Sequence, residues 1–226
     1  MKGRQGLFIT FEGTEGSGKT TQMRLLSDRL RKEGYTVTES QEPGATNIGR
    51  QIRRILLDPA HDEMAAMAEL LLMFASRAQA AQEILLPALA AQHVVISDRF
   101  TDSSLAYQGA GRNLGYETVR KAHHLALGSL QPDLTICLWL DVEAGLLRAQ
   151  HRNASNGSDQ GEARLDRQSL DFHYCVADGY RHIAAMEPAR FKVVDANGEP
   201  GAVFERVWGE VLPFLAKYET HKVPLS

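Results

Sequence analysis

Several things are scarce in this 226-residue chain, and each scarcity removes a class of function. There are two cysteines, Cys137 and Cys175, far apart in sequence. They form neither a disulfide framework nor a zinc signature, so the expectation is two reduced thiols in a cytoplasmic protein. No apolar run approaches the roughly 20 residues that cross a bilayer. The apolar stretch behind Lys2 and Arg4 ends at Glu12, too soon for a secretory signal, and no internal repeat is visible. A formal net charge of -3 offers no broad basic face to a polynucleotide, though a few local cations suffice for a small anion. The eight histidines, His123-His124 among them, show no H-E-x-x-H or comparable ligand spacing. No nucleophile elbow accompanies the serines, which argues against a hydrolytic triad. What remains, 43% hydrophobic and 23% charged, is enough for one domain over 1–226 with a full core.

One stretch organises the rest. Gly13-Thr14-Glu15-Gly16-Ser17-Gly18-Lys19-Thr20 reads G-x-x-x-x-G-K-T, a phosphate-binding loop. Leu7–Phe11 before it has the profile of a buried strand, and Thr21–Leu30 after it carries apolar residues at helical spacing. The chemistry needs that order. Glycines let backbone N–H groups turn inward, and a helix N-terminus adds partial positive charge. Lys19 is placed to reach β- and γ-phosphates, and the Thr20 hydroxyl to ligate Mg²⁺.

Further along, Gly34 is positioned as a left-handed helix stop, and residues 35–40 read as a second strand. The loop Gln41-Glu42-Pro43-Gly44-Ala45-Thr46 follows at that strand's C-terminal end. Asn47 is the expected cap of a helix to about Leu57, with Ile48, Ile52, Ile55 and Leu56 facing inward. Residues 64–92 form a long helical segment in which Pro87 predicts a kink or break. Met73, Phe74 and Arg77 share a face of it; Arg77 is either a solvated side chain or part of a site. Residues 93–98 are a buried strand ending in Asp98, the Walker-B form that holds Mg²⁺. Arg99 then suits a phosphate clamp, the alternative being a structural Asp98–Arg99 bridge. A helix over 116–127, a strand over 134–141 and a helix from Val142 to about Gln150 come next. His151–Ala163 is polar and aperiodic. Bracketed by Arg148, Arg152, Arg164 and Arg167, it reads either as a solvated loop or as a lid over about 148–168. Helical spacing over 165–185, a strand over 191–195 and a helix over 203–217 complete the chain, with a frayed tail.

Five strands alternating with helices predict an α/β fold: a three-layer P-loop NTPase domain with a parallel sheet flanked by helices. The phosphate loop, the 41–46 loop, Asp98-Arg99 and the lid all fall at strand C-terminal ends, where ligands sit in such sheets. Several arginine-bearing segments without a guanine-selecting N-K-x-D point to a phosphotransferase.

Four segments carry a resemblance: FEGTEGSGKTTQ (11–22), EPGAT (42–46), ELLLMFASRAQ (69–79) and SDRFTDSSLAYQGAGR (97–112). From Leu7 to the last helix the chain resembles bacterial thymidylate kinases, within the nucleoside monophosphate kinases. The phosphate loop is shared widely; the last two segments together are specific. The resemblance implies transfer of the ATP γ-phosphate to dTMP in dTTP biosynthesis, Mg²⁺ dependence, five parallel strands, and a homodimer formed through helices. No nucleic acid or membrane partner is implied. It makes Lys19, Arg99, Glu15 and Arg164 the catalytic set. ATP would contact Gly13, Thr14, Glu15, Gly16, Ser17, Gly18, Lys19, Thr20 and Thr21, with Arg148 from the lid and Asn197 at the adenine. Thr20 and Asp98 would hold the metal. For dTMP, Glu15 would meet the sugar 3′-hydroxyl or its waters, Arg99 the phosphate, and Arg77 a thymine carbonyl. Phe74, with Met73, would stack on the ring. Ser103 and Ser104 would lie at its N3 edge, Tyr107 under the sugar with Gln108 beside it, and Pro43 and Arg53 on the phosphate side. Gly16 stands where one subgroup has arginine, which implies reliance on lid arginines. Two departures stand out. Gln41 and Ala45 replace the usual arginine and second glycine of R-E-P-G-G-T, and relative to the family the lid carries an insertion over 153–161. The literal L-D-R match gives Arg167, whereas the register of the following helix favours Arg164.

Overall fold

The computed structural model describes residues 6–155 and 164–219, the side chains of 152–155 and 219 excepted. Five strands form one parallel sheet: β1 (Leu7–Glu12), β2 (Val37–Gln41), β3 (Val94–Asp98), β4 (Leu134–Trp139) and β5 (Phe191–Asp195), in the order β2-β3-β1-β4-β5. The expected architecture is thus observed. β1 lies at the centre, paired with β3 through Leu7↔Val94 to Phe11↔Asp98 and with β4 through Ile9↔Leu134 to Glu12↔Cys137. It is buried on both sides, as a central parallel strand must be. Leu7, Ile9 and Phe11 face one helical layer, and Phe8 faces the other.

α1 (Lys19–Lys32) and α9 (Pro200–Glu219) cover the first face through Met23, Leu26, Leu30, Val207 and Val211. The second face is covered by α3 (Ala66–Ala80), α6 (Tyr116–Leu127) and α8 (Leu170–Met186), through Leu70, Phe74, Val119, Val176 and Tyr180. From β1 the chain leaves toward β2, and from β3 it leaves toward β4. A crevice therefore opens between their C-terminal ends, where Gly13 and Asp98-Arg99 lie.

Several local expectations change. Thr46, not Asn47, caps α2 (Asn47–Leu57): its Oγ1 accepts from Gly49 N at 2.9 Å. Ile48 and Ile55 are 51% and 44% exposed, so the buried edge of α2 is instead Leu56 and Leu57, with Ile52 partly covered. Pro87 breaks nothing. A π turn over Ala81–Leu85 carries α3 into α4 (Leu86–Ala90), and the wider turn absorbs the proline's missing N–H. α5 (Thr101–Ser104) runs on into a second π turn, Leu105–Gly111, that the sequence reading left without an element. α7 (Val142–Ser155) extends five residues into the expected lid loop. The rest of that loop, 156–163, lies outside the described residues, as do most of the 153–161 insertion and the 220–226 tail. The turn at 164–168 precedes α8, which starts at Leu170 under a Ser169 cap.

Candidate active site

The phosphate-loop end of the cleft is made of backbone. Gly13, Gly16 and Gly18 hold φ of 129°, 68° and 92°, a region open to glycine at little cost. A Cβ at Gly16 would stand 2.1 Å from the Gly145 carbonyl oxygen and 3.1 Å from Arg148 Cβ. The loop is therefore pressed onto the first turns of α7, with Arg148 at its side. Gly16 has no room for the longer side chain found in the other subgroup. Ser17 Oγ donates to Thr14 O at 2.8 Å, and Lys19 Nζ donates to Gly13 O at 3.1 Å and Thr14 O at 2.9 Å. Burial and the Arg99 charge lower Lys19 to about 8, against the pull of Asp98, Glu15 and Glu12. Thr20 lies in the first turn of α1, and Asp98, half-exposed, closes β3.

The Arg99 end is made of side chains. Arg99 sits at φ 67°, a strained setting for a non-glycine residue. Its backbone is fastened by Arg99 N to Phe11 O at 2.9 Å and by Ser97 Oγ donating to Arg99 O at 2.8 Å. The guanidinium donates to Ser103 Oγ at 3.0 Å and to the Tyr180 and Tyr107 hydroxyls at 3.2 Å each. It also pairs with Glu15 at 3.4 Å. Its partner is thus Glu15 across the cleft, not the adjacent Asp98. The Tyr107 hydroxyl donates to Glu15 Oε1 at 2.5 Å. Burial alone would raise Glu15; contact with His173, the Arg99 and Lys19 charges and the Tyr107 hydroxyl outweigh it and bring the carboxyl down to about 2.

Beneath this lies Glu12, which accepts from Phe100 N at 2.8 Å, the Tyr180 hydroxyl at 3.0 Å and the Ser103 hydroxyl. Burial, reinforced by Asp102, raises it to about 7. Ser103 thus bridges Arg99 and Glu12.

Arg77 is 1% exposed, which removes the solvated alternative. Its Nη1 donates to Ser104 Oγ at 3.1 Å, and its guanidinium lies 4.8 Å from the Phe74 ring centroid. Met73 is buried beside it on α3. Arg53 Nη1 donates to Pro43 O at 2.9 Å, bracing the 41–46 loop.

Arg164 departs most from expectation. It is 1% exposed, donates to Leu56 O at 2.6 Å and pairs with Glu69 at 2.5 Å. Arg112 and Gln108 converge on the same carboxylate at 3.0 and 2.9 Å. A buried carboxylate needs such partners, and their hydrogen bonds lower Glu69 against the effect of burial. Arg164 and Gln108 thus anchor α2, α3 and the second π turn to the chain entering α8, a structural placement. Arg167, on the same turn, is exposed. Asn197 follows β5, where Arg206 donates to the carbonyls of Asp195 and Asn197 at 2.7 and 2.9 Å.

Comparison with known proteins gives the family. Residues 11–207 match the family model described as thymidylate kinase. A thymidylate kinase of Solidesulfovibrio magneticus is 47% identical over 205 residues, 91% of this chain and 98% of its own. One from Desulfovibrio desulfuricans is 48% identical over 194 residues, covering 86% and 89%. A crystal structure of thymidylate kinase from Ehrlichia chaffeensis superposes with a TM-score of 0.71 at 31% identity, covering 92% of this chain and 98% of that one.

The chain belongs to the thymidylate kinase family.

Within this thymidylate kinase chain, Lys19, Glu15, Arg99, Ser103 and Tyr107 come together as one cluster, and Phe74, Arg77 and Ser104 as an adjoining one. Sequence reasoning missed Glu12, His173 and Tyr180. Glu12 ends an apolar strand beside the phosphate loop, a signal that was there to use. His173 and Tyr180 lie seven residues apart on α8, and nothing local marks them.

Proposed function

We propose that this chain transfers the γ-phosphoryl group of ATP to dTMP, giving dTDP for dTTP synthesis. The observation that carries the reading is that Arg99 reaches across to Glu15 of the phosphate loop at 3.4 Å, on the same loop whose Lys19 charge also acts on that carboxyl. The donor triphosphate lies on the phosphate loop against Lys19, and the acceptor monophosphate on Arg99. A loose phosphoryl transition state needs little covalent help and much charge neutralisation, which the two cations supply. A nucleotide monophosphate loses its last proton near pH ~6, so the attacking oxygen needs no base.

The donor set near Lys19 suits Mg²⁺. Thr20 and Asp98 supply oxygen only, and among the described residues no His, Cys, Asp or Glu group could hold a metal by itself. When bound, Mg²⁺ would neutralise phosphate charge there. Phe74 offers its ring to thymine, with Met73 behind it. Arg77 and Ser104 present donors to the base edge, and Tyr107 fills the space a ribose 2′-hydroxyl would require. Arg53 and Pro43 hold the 41–46 loop, and Gln108 supports Tyr107 through Glu69. The turn at Asn197 receives adenine. Because Gly16 is closed by Gly145, further positive charge comes from Arg148 beside the loop and from exposed Arg167.

The exposed apolar side chains Ile48, Ile55, Met67, Leu71 and Leu125 on α2, α3 and α6 support a homodimer through those helices. A cytoplasmic setting is in keeping with two unpaired cysteines. No described helix is long and apolar enough to cross a membrane.

The test is ADP release measured across dTMP, dUMP, AMP, GMP and CMP. A preference for dTMP is expected; a preference for AMP, GMP or CMP would overturn the proposal.

A further inference from the structure

The two terminal nitrogens of Arg99 are held unequally. Nη1 donates to Ser103 Oγ at 3.0 Å and to the Tyr180 hydroxyl at 3.2 Å. Nη2 donates to the Tyr107 hydroxyl at 3.2 Å and reaches Glu15 Oε1 only at 3.4 Å. Both partners of Nη1 lean on one further residue. Glu12 Oε2 accepts from the Tyr180 hydroxyl at 3.0 Å and from the Ser103 hydroxyl, while Oε1 accepts from Phe100 N at 2.8 Å. An ionised carboxylate only accepts, and a hydroxyl carries one proton. With that proton spent on Glu12, Ser103 and Tyr180 turn only lone pairs toward Arg99. Glu12 therefore sets the polarity of both hydroxyls, and both N–H groups of Nη1 find an acceptor. Without it the two hydroxyls, 3.1 Å apart, are free to spend a proton on each other or to aim one at the guanidinium. Glu12, Ser103 and Tyr180 are all buried. Arg99 is also the leading cation acting on Glu12, so releasing Nη1 would strand a buried carboxylate. Releasing Nη2 costs less, because Glu15 keeps the Tyr107 hydroxyl and the Lys19 charge.

We propose that Glu12 is a positioning residue for phosphoryl transfer: through the Ser103 and Tyr180 hydroxyls it fixes Nη1 of Arg99, leaving Nη2 as the nitrogen exchanged from Glu15 to the acceptor phosphate. This rests on the acceptor placement proposed above. The frame gives one direction to an arginine whose backbone is strained at φ 67°. Glu12 also closes β1 directly before Gly13. Its backbone starts the phosphate loop and its side chain aims Arg99, so a single residue sets the two phosphate grips relative to each other.

The test is kcat and the KM for dTMP in Glu12→Gln and Tyr180→Phe, each made in the wild type and in Arg99→Ala. Rates are taken at pH 8, above the value of about 7 to which burial raises Glu12. An amide offers one acceptor oxygen where the carboxylate offers two, so Glu12→Gln cannot serve Phe100 N and both hydroxyls together. It should lower kcat by about 10- to 30-fold and change the KM for dTMP by less than about 3-fold. Arg99 then still attracts the phosphate but no longer holds it in line. Tyr180→Phe removes one hydroxyl, keeps the ring, and should lose about 5-fold in kcat. In Arg99→Ala each change should cost less than about 2-fold, since the group it positions is gone. A loss in Arg99→Ala as large as in the wild type would show a general loosening of the core and overturn the proposal. Full kcat in a folded Glu12→Gln would also overturn it. If Glu12→Gln does not fold, Tyr180→Phe decides in the same two backgrounds: a loss confined to the wild type supports the proposal, and an equal loss or none overturns it. Failure of the functional reading shows separately, as wild-type preference for another nucleobase.

Discussion

The phosphate-loop end of the cleft is built from consecutive backbone, whereas the Arg99 end is built from side chains gathered across the sheet. Eight successive residues make the phosphate loop, and its glycines are required by φ and by contact with Gly145. The Arg99 grip draws Glu12 from β1, Ser103 from α5, Tyr107 from the second π turn and Tyr180 from α8. A triphosphate offers the same oxygens in every nucleotide, so a backbone cradle suffices for the donor. Selecting one base and one sugar needs individually placed groups, and these depend on the whole fold being right.

Variants at the two ends can break or sharpen this contrast. The largest effect is expected at Lys19→Ala, where loss of the one cationic side chain in the backbone cradle lowers kcat/KM by at least about 100-fold. Near-normal turnover would show that the loop acts without it. Next comes Arg164→Ala. Removing one partner of a buried ion pair costs about 3 kcal/mol, or a Tm lower by roughly 6–12 °C in a chain of this size. Arg167→Ala should leave Tm within about 1 °C and lower kcat by about 10-fold, more than it raises the KM for dTMP. Thermal scans and steady-state rates together separate the two. A large kcat loss at Arg164→Ala with Tm unchanged would return that arginine to the lid.

The smallest effect is a pH slope. Burial raises Glu42 to about 7 from 4.5, with Arg77 and Ser76 opposing. A carboxyl raised by folding contributes its stability fully below about 4.5 and loses it as pH climbs through about 7. Wild-type Tm should therefore fall between pH 5 and 7.5, this group contributing at most about 3 kcal/mol. Glu42→Gln should flatten part of that fall and leave the share of Glu12, which burial also raises to about 7. An unchanged slope would mean that Glu42 stays ionised throughout.

The same contrast explains what could be read in advance. The phosphate loop was legible because its parts are adjacent and its flanks carry clear strand and helix patterns. Arg99 was legible as a charge ending a buried strand, and the five-strand parallel sheet followed from the alternation of elements. Glu12 left a signal, an acid closing an apolar strand beside the phosphate loop, but its direction came only from the pairing with β3, which turns it toward Phe100 and Ser103. His173 is hidden by distance, since 158 residues separate it from Glu15. The partners of Arg164 were not legible, because an arginine beside a polar segment looks free until Glu69 is seen beneath it. The outward Ile48 and Ile55 show the limit of periodicity. It finds the apolar stripe of α2 but not which part of that stripe its own core covers.

The central claim is that Arg99 grips the acceptor and Lys19 the donor. Calorimetric titration of Arg99→Ala with each nucleotide separately tests it most directly. The account predicts that dTMP affinity falls by at least about 50-fold, as for a lost bidentate charge pair, while ATP affinity stays within about 3-fold. An equal loss for both nucleotides, or undiminished dTMP binding, would contradict it.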